Sequence, residues 1–160
     1  EDINPRACVG YKNVFIHCGI NNIKDRHTNV QDAVELLTSK LTTIQKLCPQ
    51  SRICVSPILP TKLPSLNIRA VSFNKLLFNY CGSHPRVGTL DFGCFLNSSN
   101  VLGNEFGRFH SKTDPIHLGS HGIYILSRIF ASKVFGCPVD GRLYSDIARL
   151  NPRQPSSTQS

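Results

Sequence analysis

The run Val14-Phe-Ile-His-Cys18 is the feature that most narrows what this chain can fold into. It is almost continuously apolar, as a strand is when it lies inside a parallel sheet covered on both faces. The run breaks at Gly19, and two amides follow, Asn21 and Asn22. A strand that ends in Gly and then in polar side chains sets those groups at the carboxyl edge of an open α/β sheet, where such sheets bind ligands. His17, inside the run, reads as a hydrogen-bonded core residue.

The remaining elements support that architecture. Residues 1–12 read as coil, 13–18 as the first strand and 19–29 as a polar loop. Val30, Val34, Leu37, Leu41 and Ile44 recur at helical spacing, which predicts a helix over 30–47 with one apolar stripe. Thr28 with Gln31, or Asn29 with Asp32, can cap its start, and Cys48-Pro49 ends it because the residue before Pro avoids helical angles. Residues 52–56 predict a second buried strand, and Pro57, Pro60 and Pro64 stiffen the connection after it. A helix is expected over 66–81, with Ala70, Phe73, Leu77 and Tyr80 on one face and Gly82 as a left-handed cap. A third strand is expected over 87–92. Residues 95–113 read as one long loop, a length usual for functional or disordered segments. The last helix spans 120–135, with Ile123, Leu126, Phe130 and Val134 inward and Gly136 capping. Strands alternating with helices predict a three-layer, flavodoxin-like α/β fold: a parallel sheet with helices on both faces.

At 160 residues and 40% hydrophobic content the chain is one globular domain, expected over 1–139, with a polar, disordered tail over 140–160. No apolar run nears the roughly 20 residues of a membrane span, and the first residues lack the pattern of a secretory signal. Met is absent, including at position 1, which predicts a chain that begins within a longer gene product. The seven cysteines form no C-x-x-C pair and read as reduced thiols of a cytoplasmic protein. The formal charge of +8 is uneven: between Leu36 and Leu90 there is no acid, against Lys40, Lys46, Arg52, Lys62, Arg69, Lys75 and Arg86. That segment should carry a positive field; without adjacent basic residues it reads first as a solvated face.

A second polar group lies at Asp114-Pro-Ile-His117. An Asp three residues before a His can hold the imidazole in one tautomer, the base half of an acyl-transfer site. His117, His121 and Asp114 also have metal-like spacing, but Gly119 and Gly122 weaken a helix there. No metal is expected. His27, His84 and His110 have no assigned role, and Asp91 reads as lining a site or capping a loop.

Gly19-Ile20-Asn21-Asn22 and Asp114-Pro115-Ile116-His117, in this order and spacing, resemble the G-x-N-D and D-x-x-H blocks of the SGNH, or GDSL-type, hydrolases. The likeness covers about residues 12–136. It implies an esterase-type hydrolase acting on small acyl or acetyl esters without a cofactor. Asn21 would donate to the oxyanion beside Gly19 and Asn22, His117 would be the general base, and Asp114 would orient it. Asn22 stands where the family has Asp. The family's G-D-S block is absent, so the nucleophilic serine, with the first strand and helix, is expected upstream. Ser56, before Pro57, lacks a Gly-flanked elbow. The resemblance also extends to esterase-like domains in the first reading frame of LINE-type retrotransposons. That gives a second function class, a non-catalytic module associating weakly with nucleic acid or acidic surfaces. A nucleotide-binding flavodoxin-like sheet ranks last, because no phosphate loop is present.

Overall fold

The computed structural model describes residues 3–90, 92–104, 106–107 and 114–135. Asp91, His110, Gly136, the side chain of Val134 and the expected tail lie outside the described residues and side chains. The chain divides into two compact units, Glu1–Leu59 with Leu63–Phe92, and Pro60–Lys62 with Gly93–Ser160.

The first unit is α/β, with a parallel sheet of three strands in the order β1 (Asn13–His17), β2 (Arg52–Ser56), β3 (Val87–Thr89). This is the parallel layered sheet expected, and it is consistent with a flavodoxin-like fold. Val14 pairs with Ile53, Ile16 with Val55 and His17 with Ser56. The central strand β2 is the most enclosed, with Ile53, Cys54, Val55 and Ser56 all buried. That is why its sequence is apolar at consecutive positions instead of alternating. β3 is shorter than expected and stops at Thr89, although Leu90 and Phe92 beyond it are still buried.

Helix α2 covers Val30–Leu47, as its stripe requires, and buries Ala33, Val34, Leu37, Leu41 and Ile44. Asn29 is the cap: its side-chain oxygen accepts from the Gln31 N–H at 2.8 Å. Helix α3 (Pro64–Gly82) starts two residues before its expected position, because Pro64 at the first turn has no N–H to leave unpaired. Its inward face carries Leu66, Ala70, Phe73 and Leu77. The helix runs through Gly82 to Ser83, whose φ of −94° is right-handed, so the expected left-handed glycine cap is absent. α2 and α3 pack together. Tyr80 OH on α3 meets Thr42 Oγ1 and the Gln45 amide of α2, each at 3.0 Å.

Two expected coil segments are helical. Pro5–Cys8 is a 3-10 helix, with Asn4 accepting from the Arg6 N–H at 3.1 Å. Ile20–Lys24, read as loop, is the short helix α1. Its one buried residue, Ile23, is too little of a stripe to register as helical periodicity.

The second unit holds Gly93–Phe95 as a 3-10 turn, the paired bridges Leu96–Leu102 and Gly107–Leu118, and helix α4 (Ser120–Phe135). The expected inward face of α4 is wrong at its start. Ile123 is exposed and Ile125 buried. Gly122 decides this rotation, since a Cβ there would lie 2.5 Å from the Phe106 carbonyl oxygen. The glycine lets the helix meet that backbone and turns Ile125 inward.

Cys8, Cys18, Cys48, Cys54 and Cys81 form no disulfide among the described residues. No helix among the described residues is long and apolar enough to cross a membrane.

Candidate functional site

In the second unit, Asp114 and His117 meet as the D-x-x-H spacing predicts. His117 Nδ1 lies 2.9 Å from Asp114 Oδ1 and 3.0 Å from Oδ2. Asp114 Oδ1 also accepts from the backbone N–H of His117 at 3.0 Å and of Ile116 at 3.3 Å. One carboxylate thus closes the turn and holds the ring. The His117 backbone N–H does most to hold the Asp114 carboxyl below the usual Asp range, and the ring contact and the Ile116 N–H add to it against a desolvation cost. An ionised carboxylate only accepts, so Nδ1 carries a proton, and in the neutral tautomer this leaves the lone pair on Nε2. The His117 side chain is 64% exposed and that of Asp114 20%. The ring is open to solvent while its partner is largely shielded.

The backbone around the pair is tied on both sides. The Lys62 N–H donates to the Pro115 carbonyl at 2.8 Å, and the Leu102 N–H to the Thr61 carbonyl at 2.9 Å. Past the histidine, Leu118 bridges to Gly107, and the Gly119 N–H donates to the Phe106 carbonyl at 2.8 Å. Phe106 is buried, edge-on to Phe95 with ring centroids 5.0 Å apart. His121 stacks on Phe106 at 5.8 Å and so serves packing. No group of three His, Cys, Asp or Glu side chains that would hold a metal is found among the described residues.

The other expected site residues belong to the first unit. Gly19 is buried and caps α1 with a φ of 109°, in the left-handed region. A Cβ at Gly19 would lie 3.1 Å from Ile58 Cδ1 and from Phe73 Cζ, so only glycine turns the chain here without strain. The turn sets Asn21 and Asn22, both exposed, on the first turn of α1. Sequence reading missed what fixes this segment. Arg69 of α3 donates from Nε to the Ile23 carbonyl at 2.8 Å, and from Nη2 to the carbonyls of Asp25 at 3.0 Å and Thr28 at 2.6 Å. The guanidinium answers carbonyls left open at the end of α1 and in the loop beyond. The available signal was an arginine on a helix without an acidic partner nearby in sequence.

That observation also revises the acid-free segment. Arg86 likewise donates to the carbonyls of Gln45, Cys48 and Pro49 at the end of α2. Lys62 Nζ donates to Asn104 Oδ1 at 3.2 Å. Arg69, Arg86 and Lys62 are thus engaged within the protein, a use that needs no neighbouring acid.

Ser56 ends β2 fully buried, and its hydroxyl donates to the Pro57 carbonyl at 2.8 Å. Burial and that bond both remove it as a nucleophile. Its Oγ lies 2.8 Å from His17 Nδ1. His17 is hydrogen-bonded as expected, with Nδ1 part-buried against Ser56, but it ends β1 at the rim of the sheet and is exposed there, outside the core.

Together these features define the class: a parallel α/β fold with a carboxylate-oriented imidazole in one unit and a glycine-turned pair of amides at a strand end in the other. Among solved structures, the chain is similar to a protein from Streptococcus pneumonia provisionally described as a platelet activating factor, with a TM-score of 0.67 and 19% identity. The match covers 76% of this chain and 59% of that one, and it is a likeness of fold. No protein-family profile matches the chain, and no curated protein matches it in sequence.

Proposed function

We propose that the chain carries the acid–base half of an ester hydrolase that acts on small acyl or acetyl esters. In this reading His117 Nε2 takes a proton from a serine hydroxyl and returns it to the leaving alcohol. Asp114 stabilises the imidazolium formed in between. Asn21, beside Gly19 and Asn22, donates to the oxyanion. The nucleophile is a serine in a block upstream of residue 13. The carrying observation is the Asp114–His117 geometry: two carboxylate oxygens within 3.0 Å of one ring nitrogen, with the other nitrogen unpartnered among the described residues. The fold shared with a protein described as a platelet activating factor supports the same class.

The test is labelling of the full-length protein by a fluorophosphonate probe, with hydrolysis of a small acetyl ester as a second readout. His117→Ala should abolish labelling and lower turnover by about 10³-fold or more. Asn21→Ala should lower turnover by about 10²–10³-fold. Undiminished labelling in His117→Ala would remove the role given to the ring.

A further inference from the structure

His17 is the polar group at the strand ends that the hydrolase reading does not use. Its ring makes one bond among the described residues, from Nδ1 to Ser56 Oγ at 2.8 Å. A serine hydroxyl has a single proton, and that of Ser56 goes to the Pro57 carbonyl. The two contacts are both hydrogen bonds only when Ser56 Oγ accepts from His17, which assigns the ring proton to Nδ1. Nε2 is left as a lone pair with no partner among the described residues. Partial desolvation holds the imidazole below its usual pKa, which keeps the ring neutral near pH 7. His17 pairs with Ser56 across β1 and β2, so it is fixed by sheet register at the carboxyl ends of the strands. It stands two residues before the Gly19 turn that carries Asn21.

A neutral imidazole locked in this way is an acceptor of fixed direction. It welcomes an O–H donor and repels a carboxylate or phosphate oxygen, which has only lone pairs to offer. Ser56 is the part that makes this a built feature. Its buried hydroxyl faces one acceptor and one donor, and so dictates the tautomer of its neighbour.

We propose that His17 Nε2 accepts a hydrogen bond from a hydroxyl of an ester held beside Asn21 at the same strand ends, and so favours neutral, hydroxyl-bearing esters there. This rests on the hydrolase reading for the identity of the ligand and on the His17–Ser56–Pro57 chain for the acceptor. His17 is a specificity residue in this account, with no part in the acyl chemistry.

Two matched probes test it: 2-hydroxyethyl acetate and 2-methoxyethyl acetate, which differ only in the hydroxyl. In long-range nitrogen NMR spectra His17 should show a protonated Nδ1 and a bare Nε2, and Ser56→Ala should release that tautomer preference. The hydroxy ester should shift the Nε2 resonance and the methoxy ester should leave it in place. In the full-length protein, His17→Phe should lower the preference for the hydroxy ester in kcat/KM by about tenfold, chiefly through KM. His17→Gln, whose amide oxygen can reach the same place, should restore part of it. An Nε2–H tautomer, equal responses to the two esters, or an unchanged preference in His17→Phe would each overturn the proposal. Hydrolysis of neither ester would sink the hydrolase reading instead, and the response of Nε2 to the two probes would still decide the role of His17.

Discussion

The core of the sheet unit and the Asp114–His117 turn of the other unit are held by different physics. The sheet unit is built on apolar burial: Leu41, Ile44, Val55 and Leu77 have no exposure at all, and Phe73 has 1%. In the unit carrying Asp114 and His117, the turn between them is fixed mainly by hydrogen bonds of main-chain amides, from Lys62 to Pro115, from Gly119 to Phe106, and from residues 116 and 117 to the Asp114 carboxylate. The lesson is a division of labour. Burial is non-directional and tolerates small adjustments, so it suits a scaffold. Hydrogen bonds specify direction, so they suit a ring nitrogen that must point one way.

The largest expected effect breaks the first half of that contrast. Phe73→Ala empties the space beside Gly19 and under α3, and should destabilise the sheet unit by about 3–5 kcal/mol in denaturant unfolding. A loss under 1 kcal/mol would mean that burial is not what holds this unit.

Gly19→Ala comes next and tests a site where burial and backbone direction meet. The new Cβ meets Ile58 and Phe73 at 3.1 Å while φ stays at 109°. Strain of about 1–3 kcal/mol is expected, with the α1 amides displaced in NMR spectra. An unchanged melting temperature would show that the turn relaxes freely.

The same contrast explains what could be read from the sequence. The elements of the sheet unit announced themselves where many residues carry one periodic signal. α2 starts at Val30 and stops at Leu47 as predicted, because five stripe residues, an Asn cap and Cys48-Pro49 agree. The helix α1 did not, because five residues around one buried isoleucine carry no period. On α4, Ile123 and Ile125 are equally apolar, and the choice between them is made by the fit of Gly122 against the Phe106 carbonyl, a contact between separate segments. In the candidate site, Asp114 and His117 were legible because their geometry is local to one turn. The Arg69 clamp was not, since it joins α3 to carbonyls more than forty positions earlier in the chain. The tautomer of His17 was hidden for a similar reason, because it depends on Ser56 across the sheet.

The smallest effect sharpens the second half of the comparison. Asp114 accepts from two backbone amides and from the His117 ring, and each of these favours its charged form. Its pKa in the folded protein therefore lies below the value of about 3.9 for an unconstrained Asp. The sign follows from linkage: a carboxyl with a depressed folded pKa contributes stability that is whole above its unfolded pKa, and loses it as pH falls through the lower, folded one. The turn should keep its geometry through mildly acid solution and loosen only below the ordinary Asp range. The Asp114 carboxyl carbon shift should report a midpoint under about 3.9. Hydrogen exchange at the backbone amides of Ile116 and His117 should quicken over the same interval, beyond the ordinary pH dependence of exchange. Asp114→Asn, which keeps an oxygen acceptor but no charge, should remove the titration and leave those two amides exchanging faster at neutral pH. A midpoint at or above the ordinary value would mean that the carboxylate does not bind those amides in solution. The ring of His117 would then lack the fixed direction on which the proposed role as a base depends.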